Sequence, residues 1–477
     1  MHAKARSLFP LIFCAACSAP TQGPPPTADM AVATAPPDGG TAPDLRPLPP
    51  DLAVALPGGT HVWSKSFGGL GAESVYAVAT DRSGNVIVTG SYNMPFDLGG
   101  GMLPASAGGD DIFIAKFDSA GKHLWSHSYG GPGNDYVPAL AVDATGNILV
   151  AGAIDKPADF GRGMLPRGAI VIKLSPAGET MWMRGYAAAP IVGTDVSFAG
   201  FFSAAFDALG NAYLTGVFEV QFDVGGGVLV SAGDTDIVLA KLDRAGAHVW
   251  SKRFGSALDD SSSQVAIDPD GNVVFTGGLG GPVDFGGGPL TPDIVTFSFQ
   301  FLAKLNSAGA HMYSKLVMNQ GAIWPSAHLG VAPDGSAVVS THLPSPALFT
   351  AYDRDGSFLW SQQGHDSKVA IAACPEVVRD LANNVLAVVI CTTRDLSIGG
   401  KTVSCVDTSP VYVVKLDRRG GYLWHRVVPS DFNPFTRLAT DGGFLYVTTT
   451  FTGTIDLGGG PLTSAGKTDV YLLKLAL

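Results

Sequence analysis

A short phrase built around one aromatic residue recurs along this chain of 477 residues. One copy reads G-K-H-L-W-S-H-S-Y-G-G from Gly121, and an earlier copy, T-H-V-W-S-K-S-F-G-G, begins at Thr60. Successive aromatics are separated by 62, 57, 68, 63, 47 and 64 residues. A period near sixty residues predicts repeated units that bury their apolar faces against their neighbours. The seven aromatics are Trp63, Trp125, Trp182, Trp250, Tyr313, Trp360 and Trp424.

Each repeat contains four segments typical of β-strands. The segment from Val137 to Asp143 turns through A-T-G-N into I-L-V-A-G-A, and the segment from Ala169 to Leu174 turns through S-P-A-G into T-M-W. Both turns are short and contain Gly, as tight hairpins require. Only 15% of the residues are charged and 61 are Gly, which disfavours a helical bundle. The pattern predicts an all-β fold, a seven-bladed β-propeller of four-stranded antiparallel blades over residues 61–477.

The last repeat supplies only three of its four strands. We name the strands of a blade A to D from the axis outward, and the aromatic phrase is strand D. The final repeat provides A and B between Arg437 and Thr452 and C between Val470 and Leu475. The early copy from His61 to Phe67 is predicted to complete that blade, because closure removes a free sheet edge. The seven aromatics are predicted to wedge between neighbouring blades.

The repeat resembles a known family of propellers. Its elements are F-G-G, V-A-V-D-x-x-G-N and F-D-L-G-G-G, and over residues 61–477 they are similar to the seven-bladed β-propeller repeat (SBBP) family of bacterial surface proteins. The G-K-x-x-W phrase also resembles repeats of quinoprotein dehydrogenases and of an outer-membrane assembly lipoprotein. The first resemblance implies a surface binding module, and the second implies a quinone-dependent oxidoreductase as an alternative.

The N-terminal segment has the features of a targeting signal. Lys4 and Arg6 precede an apolar run that is too short to span a bilayer. The run ends in C-A-A-C, which resembles the lipobox of bacterial lipoproteins and implies acylation of Cys17. We expect a lipoprotein signal peptide over residues 1–16 and a Pro-rich disordered tether over residues 17–60. The expected location is the bacterial cell envelope, lipid-anchored to the outer membrane and facing the periplasm or the surface. An ordinary secreted protein cut nearby is the alternative.

Three cysteines follow the signal peptide, and an oxidising compartment would permit a disulfide. Cys391 and Cys405 flank one loop and form the first candidate pair. Cys374 could compete for either of them, and three unpaired thiols are the other reading.

Two sets of acidic residues follow the strand pattern. Strand direction alternates, so the A–B and C–D turns lie on one face of the propeller and the D–A and B–C loops on the other, variable face. We predict a ligand or Ca²⁺ face there, since Ca²⁺ takes six to eight oxygen ligands. Asp residues that cap turns beside flexible Gly are the alternative reading. The D–A loops contribute Glu73, Asp135 and Asp260, with Ala199 at the matching place, and the B–C loops contribute Asp97, Asp159, Asp223, Asp284 and Asp456.

Two further series recur with the repeat. His61, His123, His248 and His311 each stand two residues before the aromatic and are interpreted as exposed strand residues, because different blades cannot share one ion. Six lysines near the ends of the C strands are interpreted as extending along the surface so that their ammonium groups reach solvent. They are Lys116, Lys173, Lys241, Lys304, Lys415 and Lys474.

The fifth repeat departs most from the others and is the first place to seek a pocket, near Trp324, His328 and His342. Apart from the C-A-A-C of the signal segment, no G-x-S-x-G, H-E-x-x-H, C-x-x-C or P-loop motif occurs, so catalysis is not indicated, although a hydrolase, a lyase or an oxidoreductase remains an alternative. The net charge of -11 and the lack of a basic cluster disfavour nucleic acid. We expect a monomeric binding or scaffold module for a protein or glycan partner, with a Ca²⁺-stabilised adhesive surface protein as a third reading. No cofactor besides Ca²⁺ is indicated.

Overall fold

The computed structural model describes residues 56–189, 197–292, 299–317, 327–340, 347–363, 376–390, 395–404, 411–430 and 436–477. They form seven four-stranded antiparallel sheets, each one blade of a propeller. The predicted fold class is therefore confirmed. Residues 58–477 make one compact unit. The predicted signal peptide, nearly all of the tether and Cys17 lie outside the described residues.

The blades have these strand bounds, in order from blade 1 to blade 7. The A strands are Glu73–Thr80, Asp135–Val142, Ala199–Phe206, Ser261–Ile267, Leu329–Val331, Val377–Arg379 and Arg437–Thr440. The B strands are Val86–Tyr92, Ile148–Ile154, Ala212–Phe222, Val273–Leu279, Ala337–Ser340, Val385–Ile390 and Phe444–Phe451. The C strands are Asp111–Phe117, Gly168–Leu174, Leu229–Leu242, Phe299–Leu305, Ala347–Tyr352, Val411–Leu416 and Asp469–Ala476. The D strands are His123–Tyr129, Thr180–Ala187, His248–Phe254, His311–Leu316, Phe358–Gln363, Tyr422–Val427 and His61–Phe67.

The ring closes as predicted, through the N-terminal strand. His61–Phe67 pairs antiparallel with Asp469–Ala476, with Lys65 opposite Leu472, and forms the outer strand of blade 7. The backbone N–H of Gly59 donates to Ala476 O at 2.9 Å. Each A strand lies beside the A strands of both neighbouring blades, so the seven surround a common axis.

The core lies in the middle strands of each blade. Strands B and C of blade 1, V-I-V-T-G-S-Y and D-I-F-I-A-K-F, are buried along their whole length. Such continuous apolar runs are typical of strands covered on both faces. The D strands are half-buried, which places them at the rim. Within the described part of the chain, no helix is long and apolar enough to cross a membrane.

Strand A bends at a β-bulge in the first four blades. In blade 1 the pairing of strands A and B shifts between Val75 and Ala77. The bulge brings the backbone of strand A so close that a Cβ at Gly90 would lie 2.0 Å from Ser74 O. Only Gly fits there, which explains the V-T-G phrase of strand B. The bulge re-aims the next side chain of strand A, where the candidate site begins.

Candidate functional site

One position of strand A forms a ring around the propeller axis. It lies four residues before the first residue of the A–B turn, and it is opposite the same point of strand B in each blade. In blades 1 to 3 the side chains are small, and in blades 4 to 7 they are large and polar. In blade order the residues are Ala77, Ala139, Ser203, Gln264, His328, Glu376 and Arg437. We call the last four the axial arc.

The axial arc is held together by contacts between neighbouring blades. Gln264 Nε2 lies 3.0 Å from His328 Nδ1, and the same ring nitrogen lies 3.1 Å from Glu376 Oε2. Arg437 Nη1 lies 3.5 Å from that carboxylate oxygen. Arg437 Nε donates to Tyr76 O at 2.7 Å, which links blade 7 to blade 1. The arc therefore joins four unlike polar groups on one side of the axis, facing three small residues on the other.

The electrostatics of the arc favour a charged carboxylate. The side chain of Glu376 is 9% exposed, and burial acts to raise the pKa of its carboxyl. The charges of His328 and Arg437 outweigh burial and hold that pKa below its ordinary value. A charged glutamate beside a guanidinium and an imidazole can position a polar ligand or a polar side chain of a partner. Of the axial arc, the sequence pointed to His328 alone. Trp324 and His342, the other residues near which a pocket was predicted, lie outside the described residues.

The inner carboxylates that the sequence singled out are buried at the start of strand A, in three blades. Gly131 N–H donates to Asp135 Oδ2 at 2.8 Å, and Gly69 N–H donates to Glu73 Oε2 at 3.1 Å. Ser256 N–H donates to Asp260 Oδ2 at 2.5 Å. Burial raises the pKa of Glu73 and Asp135 to about 7 and that of Asp260 to about 6, with repulsion from a neighbouring aspartate adding to it.

The aspartates of the B–C loops, which we call the rim carboxylates, lie beside the outer strands of the blades. The structure therefore does not bring the two acidic sets together. In blade 1 Asp97 accepts the N–H groups of Gly99 and Gly101 at 2.7 and 2.9 Å, and these bonds hold its pKa below the ordinary value. A Cβ at Gly100 would lie 2.1 Å from the ring of His123, the first residue of strand D. The B–C hairpin therefore doubles back along the outer strand. The same pair of Gly N–H bonds is made by Asp159, Asp223, Asp284 and Asp456.

The histidine series belongs to these hairpins. The interpretation as exposed strand residues is wrong, because each ring is half-buried over the middle Gly of a B–C hairpin and bonds a Ser three residues on. The distances from Nε2 to the Ser Oγ are 3.0–3.1 Å for His61, His123, His248 and His311. The hairpin glycine and the histidine thus form one packing unit, although in the sequence they stand apart as two separate recurring residues.

The recurring lysines are buried rather than solvated, which corrects the interpretation above. Each is at most 9% exposed. In five blades the lysine forms an ion pair with the first Asp of the A–B turn, as in Lys304–Asp268 at 2.7 Å. The other pairs are Lys116–Asp81, Lys173–Asp143, Lys241–Asp207 and Lys415–Asp380, while Lys474 lies over the ring of Phe444. These pairs fix the face that carries the A–B and C–D turns.

The seven aromatics contact the C–D turn of the following blade. Trp63 Nε1 donates to Ser119 O at 3.1 Å, and a Cβ at Gly121 would lie 3.2 Å from the Trp63 ring. At the ring closure Trp424 packs on Gly58 and Gly59, which replace a turn. The remaining aromatics lie against the turn glycine of the next blade in the same way, Trp125 on Gly178, Trp182 on Gly246, Trp250 on Gly309, Tyr313 on Gly356 and Trp360 on Gly420.

The remaining sequence-derived sites are not described. Cys374, Cys391 and Cys405 lie outside the described residues, so the disulfide stays a prediction. Over the ranges that the structure describes, no group of three or more His, Cys, Asp or Glu side chains is placed to hold a metal ion.

No protein-family model matches the chain. An uncharacterised WD repeat-containing protein of Acanthamoeba polyphaga mimivirus is 24% identical over 270 residues, which span 45% of this chain and only 18% of the viral protein. The Dos1 propeller is 10% identical, with 86% of this chain and 95% of that one covered and a TM-score of 0.41.

Two enzymes of known structure are similar at the same level. A gluconolactonase from Xanthomonas campestris is 13% identical over 77% of this chain and 90% of its own, with a TM-score of 0.36. Puromycin hydrolase is 14% identical over 83% of this chain and 54% of its own, with a TM-score of 0.44. Each score lies below 0.5, so the assignment to the seven-bladed propellers rests on the strand pairing itself.

Proposed function

We propose that the protein is a lipid-anchored, extracytoplasmic binding module that engages a protein partner through the face carrying the D–A loops and through the axial arc. The observation that carries this proposal is the axial arc. Four consecutive blades place unlike polar groups at one level of the axis, whereas three place small residues there. A ring kept only for packing has no need of this asymmetry, while a recognition site does.

The two faces of the propeller differ in what they could offer a partner. The A–B and C–D turns are tight and held by the Lys–Asp pairs. The D–A loops vary and expose apolar side chains, with Leu70 75% exposed and Leu258 44% exposed.

Site-specific photo-crosslinking in the native host tests the binding face. A crosslinker at Leu70 or Leu258 is expected to capture one partner, and substitution Arg437→Ala is expected to reduce that product. Leu209 and Leu381, exposed on A–B turns, are the matched controls and should capture none. Capture from the control positions alone would contradict the proposed face.

The anchor has its own test. Metabolic labelling with a fatty acid is expected to mark the mature protein and to be lost in Cys17→Ser, while Cys14→Ser keeps the label. Labelling that survives Cys17→Ser would contradict the lipid anchor and leave the binding face to be judged by the crosslinks.

A further inference from the structure

Buried carboxylates meet in pairs at three of the junctions between blades. One member is the inner carboxylate of strand A, and the other is the residue five before the recurring Lys of strand C in the preceding blade. The pairs are Asp469 with Glu73 at blades 7 and 1, Asp111 with Asp135 at blades 1 and 2, and Asp236 with Asp260 at blades 3 and 4. All six side chains belong to residues at most 4% exposed. At blades 2 and 3 both members are missing, since Gly168 and Ala199 occupy the two places.

The junction of blades 3 and 4 carries its own counter-charge. Arg253 Nη1 lies 2.5 Å from Asp236 Oδ2. Arg253 stands three residues after the aromatic of strand D. Among the buried side-chain atoms that the structure describes, no oxygen of Asp236 or Asp260 lacks a hydrogen bond. Arg253 thus compensates the charge of Asp236, while Gly280 N–H donates to Asp260 Oδ1 at 2.9 Å and satisfies the inner carboxylate.

The junction of blades 7 and 1 has the same carboxylates without that cation. Ser66 takes the place of Arg253. Glu73 Oε1 and Asp469 Oδ1 are buried without a hydrogen-bond partner, although Glu73 and Asp469 are 0% and 2% exposed. Gly68 leaves room for the Asp469 carboxyl group, since a Cβ at Gly68 would lie 2.0 Å from the carboxyl carbon of Asp469.

The junction of blades 1 and 2 also lacks the cation, although here Asp111 accepts hydrogen bonds from Ser106 Oγ and Ala107 N–H. Ser128 takes the place of Arg253, and a Cβ at Gly130 would lie 2.0 Å from the carboxyl carbon of Asp111. Asp135 Oδ1 is buried without a hydrogen-bond partner, and Asp155 Oδ1 beside it is in the same state. Because an unpaired buried charge costs several kcal/mol, each of these junctions must either hold a proton or bind a cation that the chain does not supply.

We propose that the junctions of blades 7 and 1 and of blades 1 and 2 each bind one Ca²⁺ ion, in the role that the Arg253 guanidinium has at blades 3 and 4. The donors are carboxylate oxygens, which suit a hard cation and exclude the metals that prefer thiolate or imidazole. Backbone carbonyls of the glycine-rich loops are the other oxygens near these carboxylates. At the junction of blades 7 and 1, Thr468 O and Gly71 O accept the N–H groups of Glu73 and Lys467 across the two blades. Ca²⁺ accepts the irregular geometry of such loops better than Mg²⁺ does.

The test compares the thermal unfolding of the purified full chain at about pH 8 in about 1 mM CaCl₂ and in EDTA. Ca²⁺ is expected to raise Tm by about 3 °C or more, with two ions bound per chain by calorimetry and little effect of Mg²⁺. The variant S66R/S128R installs the guanidinium of blade 3 at both junctions. It is expected to keep a high Tm in EDTA and to lose the response to Ca²⁺.

Two controls make the outcome decisive. Glu73→Gln with Asp135→Asn removes the charge with little change of shape and should also abolish the response. Asp97→Asn with Asp456→Asn changes exposed rim carboxylates and should leave the response intact. Equal Tm values in Ca²⁺ and EDTA, or a full response in S66R/S128R, would overturn the two sites without touching the proposed binding face.

Discussion

At the scale of single residues, the turn Asp and the buried Lys of a blade are either both present or both absent. The fifth blade has Ala332 where the other blades have the turn Asp, and Ala351 where six have the Lys. Losing one partner alone would leave the other charge buried and unpaired, which costs far more than losing both. The sequence showed the two series separately, as turn caps and as surface lysines. Their pairing could not be predicted because the two positions are some 35 residues apart in each repeat.

The ion pair of blade 4 allows a direct measurement of this cost. Lys304 and Asp268 lie 2.7 Å apart with side chains 2% and 0% exposed. We expect Lys304→Met to lower the free energy of unfolding by about 3–5 kcal/mol. Asp268→Asn added to Lys304→Met should recover a large part, because Asn keeps the turn acceptor and removes the orphaned charge. Urea unfolding of both variants checks the result.

An exposed pair in the same part of the molecule is the control. The side chains of Arg354 and Asp270 are 54% and 52% exposed. Arg354→Met should therefore cost about 1 kcal/mol or less. If Lys304→Met costs no more than Arg354→Met, the buried pairs do not hold the turn face.

At the scale of elements, the predictable parts are those fixed by local sequence. The A–B and C–D turns were readable because their Asp and Gly act within five residues, as when Asp81 Oδ1 accepts Ser83 N–H and Asn85 N–H. The course of the B–C hairpins was not readable, because it depends on packing against a histidine more than twenty residues away, as for Gly100 and His123.

The N-terminal strand is the element on which ring closure depends. Deleting residues 58–67 uncovers the edge of Asp469–Ala476 in blade 7, with its unpaired N–H and C=O groups. We expect the Tm of this variant to fall by several degrees. We also expect the variant to self-associate, as measured by size-exclusion chromatography with light scattering. A synthetic peptide of residues 58–67 added in trans should reverse both effects. Deletion of residues 18–57 is the control and should change neither, and an unaltered monomer after the first deletion would contradict the closure role.

At the scale of the whole molecule, the sequence predicted the ring but not its asymmetry. Seven aromatics at a period near sixty residues and a displaced outer strand sufficed for blade number and closure. The axial arc could not be predicted from the sequence because its members differ in every blade, whereas a repeat is recognised by what its copies share. Gln264, Glu376 and Arg437 become a group only once the A–B turns and the pairing with strand B give their positions a common level. The departures from the repeat are therefore where binding should be sought, as is expected when function is built on a scaffold fold.

The inner carboxylates predict how the stability of the whole propeller depends on pH when divalent cations are removed. The folded-state pKa is about 7 for Glu73 and Asp135 and about 6 for Asp260, above the ordinary values of 4.5 and 3.8. Between about pH 4 and pH 7 the folded chain therefore holds protons that the unfolded chain releases, so stability falls as pH rises through this window. Carboxyls with lowered pKa, such as Asp97, act with the opposite sign but near pH 4 and below.

In EDTA we accordingly expect Tm to decline from about pH 5 to about pH 7.5, and the decline to flatten in the variant with Glu73→Gln and Asp135→Asn. Ca²⁺ competes with these protons, so its stabilising effect should grow over the same interval and vanish near pH 5. A series of melting curves at stepped pH, with and without Ca²⁺, measures both slopes. A Tm in EDTA that rises toward pH 7.5 would show that the carboxylate pairs are neutralised from within the chain and that no proton or ion enters the junctions.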